Sequence, residues 1–257
     1  MDDRISKKDY WDNIYNGLKN RRFNISFVGN YWHKIFFSIF KKYLANDSDK
    51  KFVEIGGAPG TYAVLFNKIF QYDSYSIDYS EIGTKKTIEN FKKNGIPMEN
   101  AIMLDFLDEN KPVKYKNYFD VVFSAGFIEH FKNPSEILKL HLEVLKNKGQ
   151  LVITIPSNNF IFRLQPIFKK GVIEQHNTAF MNIDEFSKIF TSNKNIEIKY
   201  LGYMGGINLA QIRYDNFFIG KFVYVLQVIM QATKLESLIP LNKYTSPYLI
   251  CIAQKIF

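Results

Sequence analysis

The chain has 257 residues, 46% of them hydrophobic and 23% charged, which suits one large globular domain with ample core. A single cysteine, Cys251, excludes an internal disulfide framework, and no charged start followed by an apolar core and a cleavage site is read, so the expected location is the cytoplasm. The net charge of +9 is carried almost entirely by lysines scattered along helices, with arginine, the better phosphate and base reader, scarce; this argues against nucleic acid as a partner and for a phosphorylated or nucleotide-linked small molecule.

Along the chain, Tyr31, Ile35, Phe36, Ile39, Phe40 and Tyr43 repeat at helical spacing within an aromatic, basic segment, residues 1–46. The short run Lys51–Ile55 reads as a strand and meets a Gly/Pro turn. A helix over 60–71, a strand over 74–78, a helix over 83–94 and strands over 100–104 and 119–124 follow. A helix over 134–146 and a strand over 150–155 complete this part, with Gly149 in the loop that closes the helix. Two further strands are expected at 196–203 and 248–255. The alternation predicts an α/β fold of seven mostly parallel strands with helices on both faces. The apolar segment 217–232 is too short for a membrane span and reads as a buried or substrate-covering helix, with interfacial membrane contact as the alternative. The whole chain is expected to be one domain: a helical cap over 1–46, a cofactor core over 50–157, and substrate-covering insertions over 157–182 and 205–246.

The turn after the first strand is rich in small residues: Gly56, Gly57, Ala58 and Gly60. There a ligand can approach the backbone at a helix N-terminus. The dinucleotide spacing G-x-G-x-x-G is not met, because Ala58 and Thr61 stand where glycines are needed. The segment Glu54-Ile55-Gly56-Gly57-Ala58-Pro59-Gly60 instead resembles motif I of the class I S-adenosylmethionine-dependent methyltransferases, (D/E)-x-G-x-G-x-G. Ala58 takes the place of the middle glycine.

Asp78, 24 residues beyond Glu54 and followed by Tyr79, resembles that family's ribose-binding acid. Asp105-Phe106 resembles the adenine position, and Ser124-Ala125-Gly126 the methionine-lining position. The resemblance covers residues 50–157. It extends more thinly to about 190 through Gln175–Phe186, and Asp9-Tyr10-Trp11-Asp12 looks like the first helix of such enzymes. It implies S-adenosyl-L-methionine as cofactor, S-adenosyl-L-homocysteine as product, and Glu54, Gly56, Gly57, Gly60, Asp78, Tyr79, Asp105, Phe106, Ser124 and Gly126 as binding residues.

For chemistry, His130 and His176 are the candidate catalytic residues, since an imidazole can take the proton of a hydroxyl acceptor. His33 reads as packed or at a rim, and His141 as facing solvent. Some relatives of this kind bind a divalent ion through E-x-x-E-H and a distant histidine; Glu129, His130 and His176 match, but Gly126 replaces the first glutamate, so no metal is expected. The (D/N)-P-P-(Y/F) signature of base amino methylation is missing, and Cys251 is far from the strand where cytosine C5 methylation needs a nucleophile. Ser124 stands where a ribose 2′-O methyltransferase needs Asp. The expected activity is O-methylation of a small molecule or nucleotide-activated sugar, in surface polysaccharide biosynthesis. The alternatives are an RNA methyltransferase, on the strength of the charge, and a non-catalytic cofactor-binding subunit docking a partner through 205–246.

Overall fold

A computed structural model describes residues 3–17, 31–108, 115–209, 212–214, 216–233 and 239–257. The β-strands β1 (Lys51–Ile55), β2 (Asp73–Asp78), β3 (Ala101–Met103), β4 (Phe119–Ala125), β5 (Leu145–Pro156), β6 (Ile196–Met204) and β7 (Tyr248–Lys255) form one seven-stranded sheet, ordered β3-β2-β1-β4-β5-β7-β6. The first five run parallel; β7 is antiparallel to both β5 and β6. The predicted seven-stranded, mostly parallel α/β sheet is therefore the observed one.

Both faces are covered. On one, α2 (Tyr31–Tyr43) and α3 (Thr61–Phe70) bury an aromatic cluster built from Phe37, Phe40, Phe52, Phe66, Phe70 and Phe123. Phe52 and Phe66 stack with centroids 4.1 Å apart. On the other face, α5 (Pro134–Val144) and α8 (Ile183–Thr191) pack on Val53, Ile55, Val122 and Ile153. Period-two alternation along β1 sends Phe52 and Glu54 to one face and Val53 and Ile55 to the other. The side chain of His33, on α2, lies outside the described side chains.

Two local expectations are corrected. β5 begins at Leu145, directly after α5, so Lys146–Gly149 is not a loop closing the helix. Gly149 lies inside the strand, where a Cβ would come within 2.6 Å of Leu145 and 2.8 Å of the Lys146 carbonyl; close approach, not capping, requires the glycine. His141 does not face solvent. It is fully buried, with Nδ1 2.8 Å from the Ile137 carbonyl and Nε2 3.1 Å from the Ser124 hydroxyl.

The chain runs from β1 outward to β3 and returns to β4 on the other side of β1. A crevice opens beyond the carboxyl ends of strands at such a reversal. The N-terminal segment closes over it. The Ile5 amide donates to the His130 carbonyl (2.7 Å) and the Lys132 amide to the Asp3 carbonyl (3.0 Å). Helix α1 (Lys8–Gly17) then packs against α4 (Glu81–Asn94).

Candidate cofactor and acceptor site

A cavity of about 310 Å³ lies in this crevice. It is within the size range of small-ligand sites. Gly56, Asp78, Tyr79, Asp105, Phe106, Gly126 and His130 all contribute to its wall. Gly56 sits at φ +62°, and a Cβ there would lie 2.3 Å from the Phe127 ring, so only glycine leaves the ring and the cavity in place.

Asp78 is nearly buried at the end of β2. Its Oδ1 accepts from the Ser80 amide (2.9 Å), and its Oδ2 from the Ala58 amide (3.1 Å) and the Tyr15 hydroxyl (3.3 Å). Burial raises its pKa, and the amide donors pull it back down. Asp105 accepts from the Leu107 amide (2.9 Å) and pairs with Arg4, whose guanidinium lies 5.0 Å from the centre of the Tyr79 ring.

Four residues expected at the cofactor sit behind the cavity wall. Glu54 is buried and accepts from the Ala63 amide (2.9 Å), ordering the first turn of α3; burial pushes its pKa up to about 8. The Gly57 amide donates to Ile77 O (3.1 Å), and a Cβ on Gly57 would strike Ser76 and Glu54. Gly60 takes φ +77° immediately before α3, with Thr87 and Phe91 of α4 filling the space a side chain would need. Ser124 is turned into the core toward His141. These four shape the wall rather than line it.

Sequence reasoning missed Arg4, Ser6, Ile14 and Tyr15, which complete the wall from the N-terminal segment. Trp11, in the Asp9–Asp12 stretch that resembles the family's first helix, places its ring 4.9 Å from His130, edge to face. The i, i+4 pair Trp11 and Tyr15 was the available signal.

Beside the cavity, a short 3₁₀ turn, Ile128–His130, brings Glu129 and His130 together with His176. His130 Nδ1 lies 2.7 Å from the Gln175 carbonyl, and His176 Nδ1 lies 2.7 Å from the Val172 carbonyl. A carbonyl only accepts, so each Nδ1 carries the hydrogen and each Nε2 keeps its lone pair. The two rings are 4.5 Å apart. Glu129 is wholly buried, its Oε1 3.8 Å from His130 Nε2, and neither carboxylate oxygen has a hydrogen-bond partner among the described residues. Burial pushes Glu129 up to about 8, and holds His130 and His176 down to about 3 and about 4. The three donors lie within 4.8 Å of one another, too far for a direct hydrogen bond but close enough to hold a divalent cation between them despite the glycine at 126.

These buried groups set a pH dependence of stability. In the folded chain Glu54 and Glu129 keep their protons to about pH 8, against 4.5 for a free carboxyl, so their contribution is lost as pH rises toward 8. His130 and His176 stay neutral down to about pH 3–4, against 6.5 when free, so theirs is lost as pH falls below 6.5. The two effects oppose each other up to 6.5, and only the carboxyls act above it. Thermal melts are expected to show Tm falling between pH 6.5 and 8, with Glu129→Gln flattening the fall.

A family model described as "Methyltransferase domain" matches residues 31–195. That is more than half of the chain, and it spans all of the cavity lining except the part from the N-terminal segment. The chain belongs to the class I S-adenosylmethionine-dependent methyltransferases. Among curated relatives, the methyltransferase is 36% identical over 108 residues to tRNA U34 carboxymethyltransferase of Helicobacter pylori (strain P12), covering 41% of this chain and 40% of that protein. It is 24% identical over 159 residues to polyketide synthase PksM of Bacillus subtilis (strain 168), covering 57% of this chain and 4% of the synthase. The chain thus spans well under half the length of these relatives.

A solved complex between the Haloferax volcanii Trm112 methyltransferase activator and a methyltransferase matches at TM-score 0.62 and 9% identity, covering 98% of both chains. A SAM-dependent methyltransferase from Aquifex aeolicus matches at TM-score 0.56 and 15% identity, covering 95% of this chain and 98% of that one. At these identities the structures speak for the fold. The expectation against a nucleic-acid partner, drawn from the lysine-rich charge, is corrected: a relative 36% identical over two-fifths of this methyltransferase is named for tRNA U34. Scattered lysine was the wrong criterion, because charge alone does not separate RNA-directed from small-molecule methyltransferases. Among the described residues, no helix is long and apolar enough to cross a membrane.

Proposed function

We propose that this methyltransferase transfers a methyl group to a hydroxyl oxygen of an acceptor that reaches His130 from the side of His176. The observation that carries the reading is the pairing of His130, at the cavity wall, with a Gln175 carbonyl that fixes its Nε2 as the lone-pair nitrogen. S-adenosylmethionine supplies an electrophilic methyl on a positively charged sulfur. Asp78 would accept from the ribose hydroxyls, exchanging the Tyr15 hydroxyl for the ligand, while Tyr79 and Phe106 would flank the adenine and Asp105 receive its amino group. Gly56 and Gly126, both at positive φ, would leave room for the methionine part. His130 would take the acceptor's proton as the new carbon–oxygen bond forms and the methyl–sulfur bond breaks, releasing S-adenosylhomocysteine, and the apolar wall of Phe127, Phe131 and Trp11 would keep competing water out.

The acceptor we favour is a nucleotide-activated sugar or another phosphate-linked small molecule, of the kind used in surface polysaccharide synthesis; the +9 charge supports an anionic substrate. An RNA acceptor is the second reading, favoured by the resemblance to the tRNA U34 enzymes. The test is transfer of label from methyl-labelled cofactor to nucleotide sugars and, separately, to bulk tRNA. Label in an alkali-stable ether on a sugar supports the first reading. Label only in tRNA replaces it with the second.

A further inference from the structure

Helix α9 (Phe217–Ala232) is turned inside out relative to an ordinary surface helix. Lys221 is exposed, but Gln227 faces the protein: it is 3% exposed, accepting from the Leu209 amide (2.8 Å) and reaching the Ile207 carbonyl (3.4 Å). Gly220 sits on the same side, against Tyr214. Large apolar residues face outward, with Phe218 79% and Phe222 64% exposed and Phe217, Tyr224 and Ile229 more than half exposed. At 100° per residue this outward apolar arc covers roughly 220° of the helix. The expectation of a buried helix over 217–232 is therefore corrected, leaving the substrate-covering reading and the interfacial alternative.

We infer that α9 and its neighbours form a docking surface for a bilayer with anionic headgroups. At 1.5 Å per residue the helix is about 24 Å long, short of the ~30 Å hydrocarbon core, so it would lie in the interface rather than span. The surface extends beyond the helix. Phe168 of α7 (Gln165–Phe168) packs on Tyr214 (5.0 Å), and Gln165 is tied through both side-chain atoms to the Arg213 backbone. That joins α7, with its exposed Ile167 and the exposed Lys169 and Lys170, to the root of α9. Phe160 and Arg163 of α6 (Phe160–Arg163) border one cleft with Lys243 and Tyr244, again exposed aromatics beside cations.

Charge selects the occupant. Stretches 157–182 and 205–246 hold seven lysines and arginines against three acids, Glu174, Asp215 and Glu236. Aromatic and aliphatic groups framed by cations match a negatively charged headgroup layer over hydrocarbon. A second copy would oppose these cations with its own, and a helix pair covers a narrower stripe than this arc.

The test uses the full chain and sedimentation with vesicles of phosphatidylcholine alone or mixed with phosphatidylglycerol. Binding to the mixed vesicles, weak on the neutral ones and reduced by high salt, is the expected result. Phe218→Ser/Phe222→Ser should lower that binding by at least about tenfold, and Lys221→Glu/Lys243→Glu should lower it with the apolar face intact. Both variants should keep the parent's melting temperature, since the changed side chains are exposed. Failure of the parent to bind the mixed vesicles overturns the inference, as does equal binding by both double variants. Concentration-dependent dimers lost in Phe218→Ser/Phe222→Ser, without vesicle binding, would overturn it in favour of self-association.

Discussion

His130→Ala is expected to lower turnover about 10²–10⁴-fold while leaving cofactor affinity nearly unchanged. The ring lines the cavity beside Gly126 and Phe127 and contributes no hydrogen bond to Asp78 or the glycine turn. Its loss should therefore appear in the chemical step rather than in calorimetric binding of the cofactor. The pH profile carries a second, independent expectation. Burial and the neighbouring His176 hold the His130 pKa down to about 3, so the imidazole is neutral throughout the ordinary assay range. Turnover should stay flat from about pH 8 down to about pH 5, where a solvated histidine would already have cost most of the activity. A mutant within threefold of the parent across that range would remove His130 from the chemistry. Loss of parent activity on adding chelator, with recovery on adding a divalent ion, would give Glu129, His130 and His176 the role of ligands instead.

Asp78→Ala is expected to weaken S-adenosylhomocysteine binding about ten- to a hundred-fold, the worth of one charge-assisted contact at roughly 1.5–3 kcal/mol. Part of that loss has a structural origin, because the carboxylate also accepts from the Ala58 and Ser80 amides and holds the glycine turn to the end of β2. Asp78→Asn separates the two contributions, since its carbonyl oxygen can keep one amide while the charge is gone. Tyr15→Phe removes only the hydroxyl now on Oδ2 and should leave affinity unchanged or slightly higher. Isothermal titration of the three variants decides the matter. Unchanged affinity in Asp78→Ala would move the ribose contact to another residue.

The strands were readable because each is a short apolar run punctuated by turn residues, as Lys51–Ile55 is before its Gly/Pro turn. The glycine turn was readable for a different reason: small residues clustered between a strand and a helix have few purposes. What local pattern could not carry was direction. Ser124 ends its strand at the expected place, yet its hydroxyl points to His141 in the core, and the sequence holds no sign of which face of β4 would be wet. His141, a polar residue on an amphipathic helix, looked solvated because its partners, Ile137 O and Ser124, are a backbone atom and a residue 17 positions away. Nor could the pairing of Arg4 with Asp105 be read, because 101 residues separate them. For α9 the sequence left a buried or substrate-covering helix and interfacial membrane contact both open, because an apolar run looks the same whether its cover is protein or something else.

The N-terminal segment ties the two ends of the cavity together. Asp3 and Ile5 are stitched to the backbone of Lys132 and His130, Arg4 bridges to Asp105, and Trp11 rests on the His130 ring. One short stretch of chain thus borders both halves of the cavity, Arg4 beside Asp105 and Tyr79 and Trp11 beside His130, so neither half is walled without it.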